Sequence, residues 1–391
     1  MRATPRSSGA DSRARGSICV LAAAVILFLI GPAPGSARPR AGGAALVWQQ
    51  WMHLTGVVDI AGPRSDGSLV VAAQGRLFLL SPSGVMTPFA RGTHGYSTAT
   101  GEPYLAVSSG QATRSGCQFA NDNVFAIEQG KPPTIVQVSA AGDASTFATL
   151  PTVDALAGIG FDTVGHFGHV LLVTAARAGH GVLFSVDCTG QVTTLTDLAP
   201  AVEGGISVAP DSFGIYAGRL IAVGEGSGDV VQFASDGSSG VVAPSGVPAG
   251  GDIGVESVGF IPQGLTTSGS VVVADRGSQP QPHPGTDTIL RLTSQALDRA
   301  GANAGDLLAV TEGGGITVAV SCAATCTVRT IASASSVAHI EGHVITADMS
   351  ARRSGKGGLT GPSHLFTIVG AGAAFVAAAA IGVYAWRRRQ T

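Results

Sequence analysis

Residues 168–195, GHVLLVTAARAGHGVLFSVDCTGQVTTL, decide the fold. Runs of Val, Leu, Thr and Phe bounded by glycine-containing turns read as three short β-strands in series, at 170–174, 182–187 and 192–195. A glycine loop joins the first two, and the Cys188-Thr189-Gly190 turn joins the last two. The pattern returns on both sides. Before it lie 57–61, 69–73, 77–81 and 85–89, then 102–108, 124–128, 134–139 and 145–150, with 155–162 leading into the quoted stretch. After it come 205–210, 219–223, 230–234 and 241–244. The turn glycines Gly84, Gly142, Gly190 and Gly237 fall 58, 48 and 47 residues apart. That interval is close to the roughly 40–50 residues of a four-stranded propeller blade.

A fifth unit is expected from 256–261, 271–275 and 288–292, followed by an Ala-rich insertion. In a sixth, 305–311 copies 168–174 and is followed by 316–321 and 327–331. Residues 339–348 are expected as a last pair of strands completing a blade begun near the N-terminus. The fold class is therefore all-β, a β-propeller, with six blades the best fit. A double β-sandwich explains the alternation and the turns, but not the interval.

The ends read differently. Residues 1–37 have the form of a secretory signal: a basic start (Arg2, Arg6, Arg13, Arg15), an apolar run over 18–30 and small residues at Gly35-Ser36-Ala37. Segment 365–386, LFTIVGAGAAFVAAAAIGVYAW from Leu365 to Trp386, is uncharged and long enough for a membrane helix. Arg387, Arg388 and Arg389 mark its cytoplasmic side. Residues 38–56 are irregular, 57–349 form the propeller, 350–364 are a flexible tether and 387–391 a tail. The expected location is the cell membrane, single-pass, with the propeller extracytoplasmic.

Composition supports a packed exported domain. Only 12% of residues are charged and the formal net charge is −2, with no basic block in the propeller, so a nucleic-acid partner is excluded. Cys117, Cys188, Cys322 and Cys326 remain after signal removal, an even number that predicts two disulfides. Cys322 and Cys326 flank a tight turn and can close locally, leaving Cys117 and Cys188 for each other.

In a propeller the first strand of each blade lines the central channel. Acids stand at the start of several such strands: Glu102, Asp154, Glu203, Glu256 and Glu341. Loops after the second strands emerge on the same face and carry His180, Glu225, Asp229, Glu312 and the run Asp275-Arg276 to His283 and Asp287. The candidate ligand face is thus Glu102, Glu203, Glu256, Asp275, Arg276, His283, Asp287 and Glu312. Carboxylates crowded at one mouth repel unless a cation compensates, and Ca²⁺ or another divalent ion held by Glu102, Glu203, Glu256 and Glu341 would do so. The plainer alternative has the acids capping strand ends in open water. His339, Glu341 and His343 would share one face of a strand. No nucleophile elbow or phosphate loop is present.

The phrases VEGGISVAPDSFGIYAGRLIAVGEGSGDV, GGDIGVESVGF, VADRG, HPGTD and AHIEGH resemble those of a group of uncharacterised exported bacterial propeller-like proteins, over most of residues 102–343. More loosely, the blades are similar to the six-bladed superfamily that includes NHL-repeat proteins and gluconolactonase-type lactonases. That second resemblance implies a divalent cation held by a Glu, an Asn and an Asp, with Glu102 in the place of the Glu. Two functions follow as expectations: a binding module for an extracellular ligand, or a metal-dependent hydrolase of lactones or sugar-derived esters.

Overall fold

The computed structural model describes residues 46–98, 102–265, 267–277 and 282–349. Six four-stranded antiparallel sheets form six blades, one of them with an added edge strand. From inner to outer edge, blade 1 is Val57–Ala61, Leu69–Ala73, Arg76–Leu80 and Met86–Phe89. Blade 2 is Leu105–Val107, Val124–Glu128, Thr134–Val138 and Ala144–Thr149. Blade 3 is Ala155–Phe161, Leu171–Arg177, His180–Val186 and Val192–Ala199, and blade 4 is Glu203–Val208, Leu220–Gly224, Asp229–Phe233 and Ser239–Pro244. The inner strands of successive blades touch, and blade 6 touches blade 1, so the ring is closed.

The middle strands read as continuous apolar runs because both of their faces are buried. In Gly269–Asp275, Val271 and Val273 face blade 5, while Val272 and Ala274 face blade 1. In Leu69–Ala73, Leu69 and Val71 face blade 6, and Val70 and Ala72 face blade 2. Six apolar clusters result, each centred between two neighbouring blades. Between blades 2 and 3 the packing is aromatic: Phe119, Phe125, Phe147 and Phe161 meet edge to face or tilted at centroid distances of 4.9–6.0 Å.

The glycine interval has a second cause besides turn geometry. Gly142, Gly190 and Gly237 have φ of 101°, 84° and 86°, and each sits against the outer edge of the preceding blade. A Cβ on Gly190 would lie 2.5 Å from Phe147 O, and one on Gly237 2.2 Å from Leu195 O. The same glycine therefore turns the chain and lets two blades approach.

Blades 5 and 6 correct the expected fifth unit. The inner strand Val255–Phe260 pairs not with Gly269–Asp275 but with Leu307–Thr311, followed outward by Thr317–Cys322 and Cys326–Ser333. Strands Gly269–Asp275 and Thr288–Thr293 belong to blade 6, whose inner strand is Ile340–Asp348. The chain thus crosses from blade 5 to blade 6 and returns through helix Ser294–Ala300, capped by Thr293 and Gly301, before crossing again. Residues 339–348 hold one strand rather than two. The segment expected to be irregular supplies two edge strands. Gln49–His53 is the outermost strand of blade 6, so the two ends of the propeller meet in one sheet, and Leu46–Val47 runs parallel to Cys326–Ser333 in blade 5.

Two disulfides are present. Cys117–Cys188 ties blade 2 to blade 3, and Cys322–Cys326 closes the outer hairpin of blade 5. Among the described residues no helix is long and apolar enough to cross a membrane. The expected signal segment, tether, membrane helix and tail lie outside the described residues.

Gly237→Ala is expected to cost on the order of 2 kcal/mol, from a side chain at positive φ and its collision with blade 3. Gly226→Ala, with nothing within 4 Å of the added carbon, is expected to be near neutral; thermal denaturation of the two variants checks the difference.

Candidate metal centre at the channel mouth

The channel site is built where the inner strands begin. In five of the six inner strands the register shifts near this end: between Val57 and Asp59, Leu156 and Gly158, Glu203 and Ser207, Val255 and Ser257, and Glu341 and Ile345. Such bulges re-aim side chains. Two share a local sequence, an acid followed by a glycine at φ 71°: Glu203-Gly204 and Glu341-Gly342. A Cβ on Gly204 would lie 1.8 Å from Glu256 O, and one on Gly342 2.2 Å from Asp59 Oδ1. Only glycine lets these neighbours close in.

Six carboxyl groups gather here. Glu102, Glu203, Glu256 and Glu341 come from the starts of inner strands, and Glu225 and Glu312 from the ends of second strands. Glu225, Glu256, Glu312 and Glu341 are buried, while Glu102 and Glu203 are half-buried. Donor atoms of Glu203, Glu225 and Glu256 lie within 4.8 Å of one another, as do those of Glu312, His339 and Glu341. Either group could hold a metal ion. The Tyr104 hydroxyl links them, 2.9 Å from Glu256 Oε1 and 2.8 Å from Glu341 Oε2. Glu225 and Glu312 form a second link through their carboxyl groups. The Arg276 guanidinium, three-quarters buried, is the fixed positive charge: its Nη1 donates to Glu102 Oε1 at 2.5 Å and to Glu341 Oε1 at 3.0 Å.

Electrostatics divides the carboxyls. Burial, then the charges of Glu203, Glu341 and Glu225, holds Glu256 well above the usual carboxylate range. Burial, the charge of Glu341 and the bond to Glu225 do the same to Glu312. Burial also pushes on Glu341, but the bond from His339 and the charge of Arg276 outweigh it and bring this carboxyl down to about 2. The Tyr104 hydroxyl is placed to donate to either Glu256 Oε1 or Glu341 Oε2, and its single hydrogen serves one of them at a time.

A polar tie lies beneath. Asp59, fully buried in blade 1, accepts from the backbone N–H groups of Ile60, Leu105 and His343. His343 Nδ1 lies 3.0 Å from both Asp59 oxygens, and its Nε2 donates to Ile159 O at 2.7 Å. Burial alone would lower the His343 pKa; the Asp59 charge and these bonds raise it instead. Blades 1, 3 and 6 are thereby joined across the channel.

Several expected positions lie elsewhere. Asp154 is exposed and accepts from Ala178 N at 2.6 Å, so blade 3 sends no acid to the channel. Asp275 is buried scaffold, accepting from His339 N and the Thr286 hydroxyl. Asp287 accepts from Gly56 N and Gly277 N and fastens the loop to the N-terminal strand. His283 donates from Nδ1 to Ser336 O, outside both donor groups. Glu102 faces Arg276 and is absent from both groups, and neither contains an Asp. His343 does not share a face with His339 and Glu341, because the bulge at Gly342 breaks the alternation and turns it under. Sequence reasoning missed Asp59 and Tyr104. An acid inside the apolar run Val57–Ala61 was a usable signal for the first; the second had none.

No protein-family model matches this chain, and no curated protein matches it. Among solved structures it is similar to virginiamycin B lyase from Staphylococcus aureus, at 12% identity and TM-score 0.39, over 72% of this chain and 87% of that one. It is also similar to a protein described as a putative gluconolactonase, at 9% identity and TM-score 0.40, over 75% and 95%. A third is regucalcin, a calcium-binding protein from Agrobacterium tumefaciens, at 14% identity and TM-score 0.33, over 60% and 74%. Likeness at this level says nothing of shared chemistry.

Arg276→Met is expected to destabilise the fold by on the order of 3 kcal/mol near neutral pH, because Glu341 and Glu102 lose their counter-charge. Glu341 sits at about 2 in the fold against its ordinary 4.5, so its ionised form stabilises above that ordinary value and the contribution is lost as pH falls toward 2. The gap between native and variant should therefore shrink on acidification, as read from denaturant midpoints across that range.

Proposed function

We propose that the chain is an exported, membrane-tethered propeller that binds an extracellular ligand at the mouth of its channel through a divalent cation. The observation that carries this reading is the convergence of six carboxyl groups and His339, with one guanidinium bonded to two of the carboxyls. Such an arrangement retains excess negative charge unless protons or a cation fill it. Signal-like and membrane-helix-like ends support export and tethering, and the two disulfides suit an oxidising compartment.

The test is thermal unfolding of the chelated protein with and without added divalent ions. A cation at a hundredfold excess over its Kd is expected to add about 2.7 kcal/mol, a rise of several degrees in Tm. No shift with any divalent ion would sink the reading. The pH dependence has a definite sign. With Glu256 and Glu312 above the ordinary 4.5, the cation-free fold loses stability as pH rises from that value through the raised ones. A cation displaces those protons, so its shift is expected to be larger at about pH 8 than at about pH 5.

A second reading, hydrolysis of a lactone or sugar-derived ester, is favoured by Tyr104. Its hydroxyl stands between one carboxyl of each donor group, where it can move a proton beside a Lewis acid. Tyr104→Phe would then remove cation-dependent lactone turnover while keeping the cation-induced Tm shift. A chelated and reloaded protein without turnover leaves the binding module.

A further inference from the structure

We propose that the cation held at this mouth is a first-row transition ion, bound by Glu312, His339 and Glu341 rather than by the all-carboxylate group. The inference rests on the reading that the mouth binds a cation, and it names which ion class and which side chains. Three observations carry it.

The first is spacing. Metal–ligand bonds of about 2.0–2.2 Å place neighbouring donors roughly 3.0–3.4 Å apart for angles between a right angle and the tetrahedral one. His339 Nε2 lies 3.0 Å from Glu312 Oε1 and 3.2 Å from Glu341 Oε1.

The second is a donor and acceptor count. Nε2 carries at most one hydrogen, which cannot point squarely at two carboxylates. Nδ1, on a side chain only 5% exposed, has no hydrogen-bond partner among the described residues. The buried Nδ1–H is unanswered in the imidazolium and in the Nδ1–H neutral ring alike, so it does not choose between them. In the neutral form Nε2 and the two carboxylate oxygens beside it are all acceptors, and a cation between them would satisfy all three.

The third is that the backbone fixes the group. Asp275 Oδ1 accepts from His339 N, Arg276 N donates to His339 O, and Ile340 N donates to Glu312 O, each at 2.8 Å. Tyr104 holds Glu341 by its other oxygen, Oε2, the outer support that a ligating carboxylate needs, while Arg276 Nη1 shares Oε1 with His339. An imidazole nitrogen in a tight set suits Zn²⁺, Co²⁺, Fe²⁺ or Mn²⁺, whereas Ca²⁺ takes six to eight oxygens.

Isothermal titration of the chelated full chain tests this. Zn²⁺ and Co²⁺ are expected to bind at least about tenfold more tightly than Ca²⁺, and His339→Ala to weaken Zn²⁺ by at least about tenfold while leaving any Ca²⁺ response unchanged. One equivalent of Cu²⁺ on the unaltered chain is expected to show nitrogen hyperfine structure from an imidazole, a readout that needs no variant to fold. Preference for Ca²⁺, indifference of Zn²⁺ to His339→Ala, or a copper spectrum without nitrogen overturns this assignment and leaves the cation reading standing. Failure of every ion to bind removes both.

Discussion

Each blade buries both of its faces, and a closed ring satisfies all of them at once. A sandwich of two sheets would leave one face of each sheet in water, and strands such as Leu69–Ala73 or Gly269–Asp275 carry no polar face to put there. Burying one Val or Leu side chain is worth about 1.5–3 kcal/mol, so an open edge exposing several of them could not compete with closure. Closure also explains why the N-terminal strand Gln49–His53 crosses to blade 6: it covers the outer edge of the sheet in which the propeller ends.

Closure has an electrostatic consequence. Every inner strand starts at the same end of the channel, so like charges at those starts are forced together. Three devices offset the repulsion. Arg276 supplies fixed charge, Tyr104 and the Glu225–Glu312 contact link carboxyls through hydrogen bonds, and the His343–Asp59 tie satisfies a second buried polar pair below. Since replacing buried charges with apolar residues is commonly neutral or stabilising, a cluster of this density is better explained by a ligand than by stability.

What was legible in the sequence was whatever depended on local geometry. Turn glycines were visible because each must hold positive φ and touch the blade before it, two constraints acting on one residue. Glu203, Glu256 and Glu341 were visible because strand-initial acids are placed by strand position alone. The exchange between blades 5 and 6 was hidden, since Gly269–Asp275 has the same apolar run whichever inner strand it joins. Alternation placed His343 beside His339 and Glu341, but Gly342 inserts a bulge that period-2 reasoning cannot register. Tyr104 was invisible for a different reason: nothing local distinguishes a tyrosine that bridges two carboxyls from one that fills a core.

The exchange bears directly on the site. Glu312 follows a blade 5 strand, His339 and Glu341 open a blade 6 strand, and Arg276 follows the blade 6 strand that precedes Glu312 in sequence. Because the strands of the two blades interleave along the chain, neither sheet can be completed without the other. The seam between them is then fixed by covalent crossings as well as by the apolar cluster that fills it. A group of like charges needs such a seam. If the two blades could slide apart, repulsion between Glu312 and Glu341 would relax by separating them, and the donor spacing would be lost. Interleaving removes that escape, so what remains to relieve the charge is a proton or an ion between the side chains.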